Sequence, residues 1–268
     1  MQAIGDIPIV EQDDSWPLVR PFGPSIVQGR MSEELQQVLC NLFIKQGSKE
    51  ELAPEEDNAW TLAGNLKREF LITQELLGAD VELFQNCINK GASQLFLSTK
   101  NVAWKSLQGV VTPKHREIIN SHLQQINLSV VIHQAWGNIS VAGDFNPVHH
   151  HTGEVSGVGY LKLPDDIERE WLLEDHDPSA GMINFWDGRP ASGSVHMYRV
   201  KPVVGDIFFF PAWLSHSVNP FRSNGERWSF SFNLAVTNQN EDLNLTDFEK
   251  AELRVERKRL LKEFDSAK

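Results

Sequence analysis

Cysteine is nearly absent from this chain of 268 residues: there are two, Cys40 and Cys87, both in helix-like segments. They form no disulfide framework and no cysteine-based zinc pattern, and their scarcity suits a reducing compartment. Long apolar runs are missing as well. The longest, "IFFFPAWL" from Ile207 to Leu214, is strand-sized and too short for a bilayer. The opening "MQAIGDIPIVEQDD" has no basic stretch leading into an apolar one, so no secretory leader is expected. Positive charge is in deficit, with 25 Lys and Arg against 36 Asp and Glu and a formal net charge of −11. That balance argues against a nucleic-acid or membrane-surface binder. The chain has no internal repeat and no low-complexity tract. A cytoplasmic protein is the expectation.

Material for a core is plentiful: 41% of the residues are hydrophobic, with eight Trp and fifteen Phe. The length suits a single domain, residues 1–268. Residues 1–30 are punctuated by Pro and Gly and read as an extended lead-in. Ser32 is placed to cap a helix that carries Leu35, Val38, Leu39 and Leu42 at helical period, with Glu33 and Glu34 at its positive end. Leu35 stands where a full capping box needs Glu or Gln. The charge run "SKEELAPEEDNAW" reads as solvated surface. One amphipathic helix is expected over "TQELLGADVELFQNCINKGASQLFLS". Another is expected from Thr112 as cap and Pro113 as first residue to Asn127. Residues 1–127 are thus mostly helical.

Past Asn127 the character changes. "LSVVIHQAWGNISVAG", "EVSGVGYLKL", "GMINFWDG", "SVHMYRVKP", "GDIFFFPAW" and "RWSFSFNLAV" are β-branched and aromatic runs divided by turn residues. Helices first, then strands without intervening helices, indicate a mainly β fold with α-helical additions. A jelly roll over residues 128–237 fits better than a parallel α/β sheet. Residues 241–268 form a charged helix opened by a capping box of Thr246 and Glu249. It allows a homodimer as well as a monomer.

Chemistry concentrates in "NPVHHHTGEVSGVGYL", Asn146 to Leu161. On a strand, His149 and His151 share a face, and alternation turns His150 away from it. Imidazoles two residues apart suit iron(II), which needs few protein ligands so that positions stay open. The third candidate ligand is His216 in "GDIFFFPAWLSHSVNPF". Farther on, Arg227, Ser229 and Ser231 alternate with Trp228, Phe230 and Phe232, so the polar members share a face. An inward-facing Arg requires an anionic partner. A guanidinium with a hydroxyl two residues on suits one end of a dicarboxylate.

These residues carry a resemblance. "WGN" (136–138), "GDFNPVHHH" (143–151), "SGVGYL" (156–161), "DGR" (187–189), "FPAWLSHSVNP" (210–220) and "RWSFSFN" (227–233) run in the order of a motif set from the 2-oxoglutarate/iron(II)-dependent oxygenases. The chain resembles their uncharacterised bacterial, phage and marine-metagenome branch, and "AGNLKREF" (63–70) looks like that branch's N-terminal half. The likeness is collinear over residues 60–236, and its last two blocks are specific.

The resemblance implies a double-stranded β-helix and an oxidoreductase. Such a dioxygenase converts 2-oxoglutarate to succinate and CO₂ while hydroxylating a second substrate. It places His149, His151 and His216 on Fe(II), Arg227 and Ser229 on the distal carboxylate of the 2-oxoglutarate cosubstrate, and Asn138 near that cosubstrate. No catalytic residue beyond the metal ligands is implied.

The chain departs from the superfamily where most members carry His-x-Asp or His-x-Glu, because His151 stands at the carboxylate's place. Either the site has three histidines, or a carboxylate replaces or supplements His151. Asp144 and Asp187 are the nearest by motif, with Glu154 behind them. Asp187 and Arg189 read as an ion pair at a strand end or as substrate contacts. Gly159, where the branch has Tyr, bears on the substrate pocket. His150 reads as outward-facing or as a neighbour that supports the ligands, and the remaining histidines, His196 included, read as structural. Two other readings stay open: a cupin-like three-histidine dioxygenase without 2-oxoglutarate, for which Arg227 has no purpose, and a non-catalytic jelly-roll binding module. The second substrate is a small molecule, a peptide or a protein side chain, and the segment Pro164–Ala180 is the expected lid over it.

Overall fold

Alternating β-branched and aromatic runs separated by turn residues form ten strands in the computed structural model. It describes residues 23–53, 56–57, 68–105, 113–114, 117, 128–172, 178–188, 196–238 and 247–266. The strands are β1 (Val27–Arg30), β2 (Arg68–Leu71), β3 (Leu128–Ser140), β4 (Asn146–His149), β5 (Val155–Lys162), β6 (Ile183–Trp186), β7 (Met197–Val200), β8 (Asp206–Pro211), β9 (Ser215–Val218) and β10 (Arg227–Asn238). They build two antiparallel sheets. One is six-stranded, in the order β1-β8-β5-β10-β3-β2, and the other is four-stranded, in the order β4-β9-β6-β7. This is a jelly roll, mainly β with helical additions. β1 and β2 extend the larger sheet at both edges, a contribution of the N-terminal part that composition alone does not announce.

Strand alternation sorts the aromatics between two layers. Phe209, Phe230 and Phe232 face outward, where Leu35, Leu39, Phe43, Phe84 and Ile88 of the helices cover them. Phe208 and Phe210 face the space between the sheets, with Tyr160, Ile183, Phe185 and Leu214. Gly159 lies on the helix-covered face, where a Cβ would come within 2.3 Å of the Phe230 ring. The Tyr-to-Gly departure therefore concerns packing under the helices rather than the substrate pocket.

Helix α1 (Glu33–Gly47) begins as its sequence indicates, with Ser32 Oγ accepting from Leu35 N at 3.2 Å. The single long helix expected from Thr73 is instead divided. Helix α2 (Gln74–Leu77) and a 3₁₀ turn (Gly78–Asp80) precede α3 (Val81–Lys105). The break falls at Gly78, whose φ of 54° leaves the helical region at a cost only glycine avoids. The C-terminal helix covers Asp247–Ser266; its expected cap Thr246, like Thr112 and most of the following helix, lies outside the described residues. Cys40 and Cys87 are both free thiols. Among the described residues, no helix is long and apolar enough to cross a membrane.

Candidate metal and cosubstrate site

β4 and β9 pair antiparallel with His149 opposite His216. His151, just past the end of β4, is held by its backbone N–H, which donates to Ala212 O at 2.9 Å. The three rings converge, with centroids 4.3 Å (His149 and His216), 5.0 Å (His149 and His151) and 5.1 Å (His151 and His216) apart. One ligand atom from each lies within 4.8 Å of the others. That is close to the ~4 Å that two bonds of ~2.1 Å to a single ion can span.

Tautomers favour the same use. His149 Nδ1 lies 2.7 Å from Pro147 O, and His216 Nδ1 lies 2.9 Å from Leu214 O. A carbonyl only accepts, so both Nδ1 atoms carry the hydrogen and both Nε2 atoms present lone pairs. Burial also keeps the rings neutral. It pushes His216 down to about 3, with His149 adding to the effect, and His151 down to about 4, again with His149 adding; His149 shifts down as well. The desolvating surroundings of His216 include Phe210 and Phe185, at ring distances of 4.9 and 6.1 Å. Neutral imidazole is the form that binds a metal.

Beside the histidines runs the inner face of β3. Trp136 packs edge-on against His151 at 5.7 Å. Two residues along, Asn138 lies opposite Ser229 of β10, and Ser140 lies opposite Arg227. Arg227 is 3% exposed. Its Nη1 donates to Gly181 O at 3.0 Å and its Nη2 to Ser140 Oγ at 3.2 Å, both neutral oxygens. Burial lowers its pKa, opposed by Tyr160 and Asp144. Tyr160, opposite Ser229 on β5, is itself pushed up to about 12 by burial, with Arg227 opposing, so its phenol stays protonated.

Two buried polar atoms here have no hydrogen-bond partner: Arg227 Nε and Asn138 Oδ1. An anionic ligand gives the first its acceptor. Turning the Asn138 amide, whose O and N ends are interchangeable by assignment, points its NH₂ at the same ligand. The residues present therefore fit a metal ion and a carboxylate-bearing cosubstrate.

The carboxylate candidates lie elsewhere. Asp144 Oδ2 accepts from Val141 N at 2.9 Å, and Glu154 Oε2 accepts from Val236 N at 3.2 Å. Asp187 is exposed, at the strand end after β6. Among the described residues the histidine cluster contains no carboxylate. His150 is exposed, as alternation requires; Arg189 lies outside the described residues. Ser140 and Tyr160 belong with the site, although only the neighbouring motif letters hinted at them.

The expected lid is fastened where it is described. Glu170, at the end of the short helix Ile167–Glu170, accepts from Arg222 N at 3.0 Å, Ser223 N at 2.6 Å and Ser223 Oγ. Trp171 Nε1 donates to Ala180 O at 2.9 Å, next to the Gly181 carbonyl that receives Arg227.

Residues 134–233 match the family described as "Putative 2OG-Fe(II) oxygenase". No curated protein matches the chain. Among solved structures, an oxidoreductase of the 2OG-Fe(II) oxygenase family from Burkholderia pseudomallei is 19% identical, with a TM-score of 0.31 over 40% of this chain and 44% of that one. A Pseudomonas putida prolyl-4-hydroxylase is 18% identical, with a TM-score of 0.42 over 78% and 92%. A Trichoplax adhaerens prolyl hydroxylase, solved with a hypoxia inducible factor oxygen degradation domain peptide fragment, is 10% identical, with a TM-score of 0.48 over 80% and 83%. The chain thus spans less than half of the first relative and most of the other two. The family match covers residues 134–233, the span that holds His149, His151 and His216 of the three-histidine cluster.

Proposed function

We propose that the chain is a 2-oxoglutarate-dependent dioxygenase whose iron(II) is held by His149, His151 and His216 alone. The observation that carries this reading is the convergence of three neutral imidazoles beside a buried Arg227 whose Nε has no acceptor. Bound iron(II) would supply the oxygen chemistry that couples decarboxylation of 2-oxoglutarate to hydroxylation. The chain's own part is positioning. Pro147 O and Leu214 O fix two imidazoles in the ligating tautomer. Trp136 braces His151. Arg227 takes the distal carboxylate, with Ser229 beside it and Asn138 across the strand pair, in a setting that burial makes electrostatically strong. Tyr160 keeps its proton and is a donor to the same anion. Three neutral ligands leave a bound divalent ion at full charge +2, one more than a site with a carboxylate, which favours chelation of an anionic cosubstrate.

Residues 128–237 form the catalytic core of one domain, with residues 1–127 and the helix of 241–268 as additions. The two free thiols, Cys40 and Cys87, support a cytoplasmic setting. The protein acts as a monomer or homodimer on a small molecule, a peptide or a protein side chain. A dioxygenase without 2-oxoglutarate leaves Arg227 with nothing to bind, so the clamp favours the first reading. The test is succinate formation from 2-oxoglutarate with iron(II) and O₂, even uncoupled from a second substrate. Wild type should form succinate and His216→Ala none. Equal rates in the two would remove the metal reading.

A further inference from the structure

The strands that carry the histidines have a second face. His149 and His216 point inward from β4 and β9, so their neighbours Val148 and Ser215 point out. There they line a groove of 610 Å³ with Trp186, Trp213, Asp187 and His196, within the ~300–1,000 Å³ typical of ligand sites. Trp213 is 58% and Val148 60% exposed. Trp186 is held in place by its Nε1, which donates to Ser217 Oγ at 3.3 Å. No lysine or arginine among the described residues lines the groove.

Indole faces attract cations, and a carboxylate alongside adds charge complementarity; the aliphatic stem of a basic side chain matches Val148 and the indoles. We propose that this groove binds a lysine or arginine side chain of an extended polypeptide. The polypeptide source follows from its form. The groove is open, and its lining reaches Val148 of β4, an edge strand of its sheet. A chain crossing that edge sets one side chain between the indoles while its backbone stays outside. The net charge of −11 draws basic partners to the surface as a whole. Binding stands without the metal reading. Only the further step, that a docked polypeptide is the substrate of the iron site on the opposite face, rests on it.

Fluorescence anisotropy of labelled Gly-Gly-X-Gly-Gly peptides, titrated with the full chain, tests the proposal without any turnover. Lys and Arg at X should bind saturably and about ten-fold tighter than Gln, the size of one to two cation–π contacts. Trp213→Ala and Asp187→Asn, both at exposed positions, should each weaken the Lys peptide by about five-fold or more while retaining the wild-type circular dichroism. Equal binding of the Gln peptide, unchanged affinity in both variants, or no saturable binding overturns the proposal. So does free N-acetyl-lysine amide competing as well as the whole Lys peptide, because the groove would then recognise a small cation rather than a chain.

Discussion

Arg227 is buried against two neutral oxygens, with a third N–H left over. Even with the Asp144 carboxylate acting on it, the guanidinium keeps an N–H that lacks an acceptor and suits an anionic ligand. Arg227→Ala should therefore weaken 2-oxoglutarate binding about ten- to a hundred-fold, the loss of a charge-assisted pair, measured by calorimetry on the metal-loaded protein. An unchanged affinity would mean that the anion binds elsewhere. The histidines make a second expectation, in pH. In the unfolded chain they titrate near 6.5, whereas His216 and His151 fold to about 3 and about 4. Between these values the unfolded state takes up protons that the folded state refuses, so their contribution is intact above pH 6.5 and is lost as pH falls through the folded values. The unfolding free energy of the metal-free protein, measured in urea, should fall between pH 7 and 5, by up to about 1.4 kcal/mol per pH unit for each histidine. His216→Ala should flatten that slope; an identical slope would place the titration elsewhere. The inward placement of Arg227, His149 and His216 was readable, because alternation assigns faces. Ser140 and Tyr160 were not, because a serine or tyrosine in a strand looks like any other until the opposing strand is known.

Among the elements, β5 shows how closely the two layers depend on each other. Its glycines face the helix-covered side while Tyr160 faces the site, so the same strand answers to packing and to chemistry. Gly159→Ala forces a methyl into the Phe230 ring and should cost about 1–3 kcal/mol in urea unfolding, as overpacking does. Its 2-oxoglutarate affinity should be unchanged. Retained stability would show that the close contact is relaxed by a shift of the helices. At the start of α1, Ser32→Ala removes the cap on Leu35 N and should cost about 1 kcal/mol. The caps and the alternating strands could be read locally. The break at Gly78 could not, because the apolar period continues across it and only the backbone angle separates the two helices. β2 was equally hidden, since four residues, Arg68–Leu71, become a strand only through the edge of β3 that they extend.

In the whole molecule, the jelly roll brings His149 and His151 against His216, some 65 residues farther along the chain, because β4 and β9 are neighbours in one sheet. The order of strands along the sequence implied such a fold, but the exclusion of Asp144, Glu154 and Asp187 from the metal cluster needed the closed sheets. A folded site that binds metal must also be stabilised by it. Iron(II) at about 100 times its dissociation constant should add about 2.7 kcal/mol to unfolding, and this gain should vanish in His216→Ala. The proposed site is a three-histidine iron centre that chelates 2-oxoglutarate with Arg227 on its distal end. Its most direct test is anaerobic titration of the iron(II)-loaded protein with 2-oxoglutarate, following the weak visible metal-to-ligand charge-transfer band. The account expects the band in wild type, its loss in His151→Ala, and its appearance only at far higher 2-oxoglutarate in Arg227→Ala. A protein that holds iron and shows no band at any concentration would contradict it.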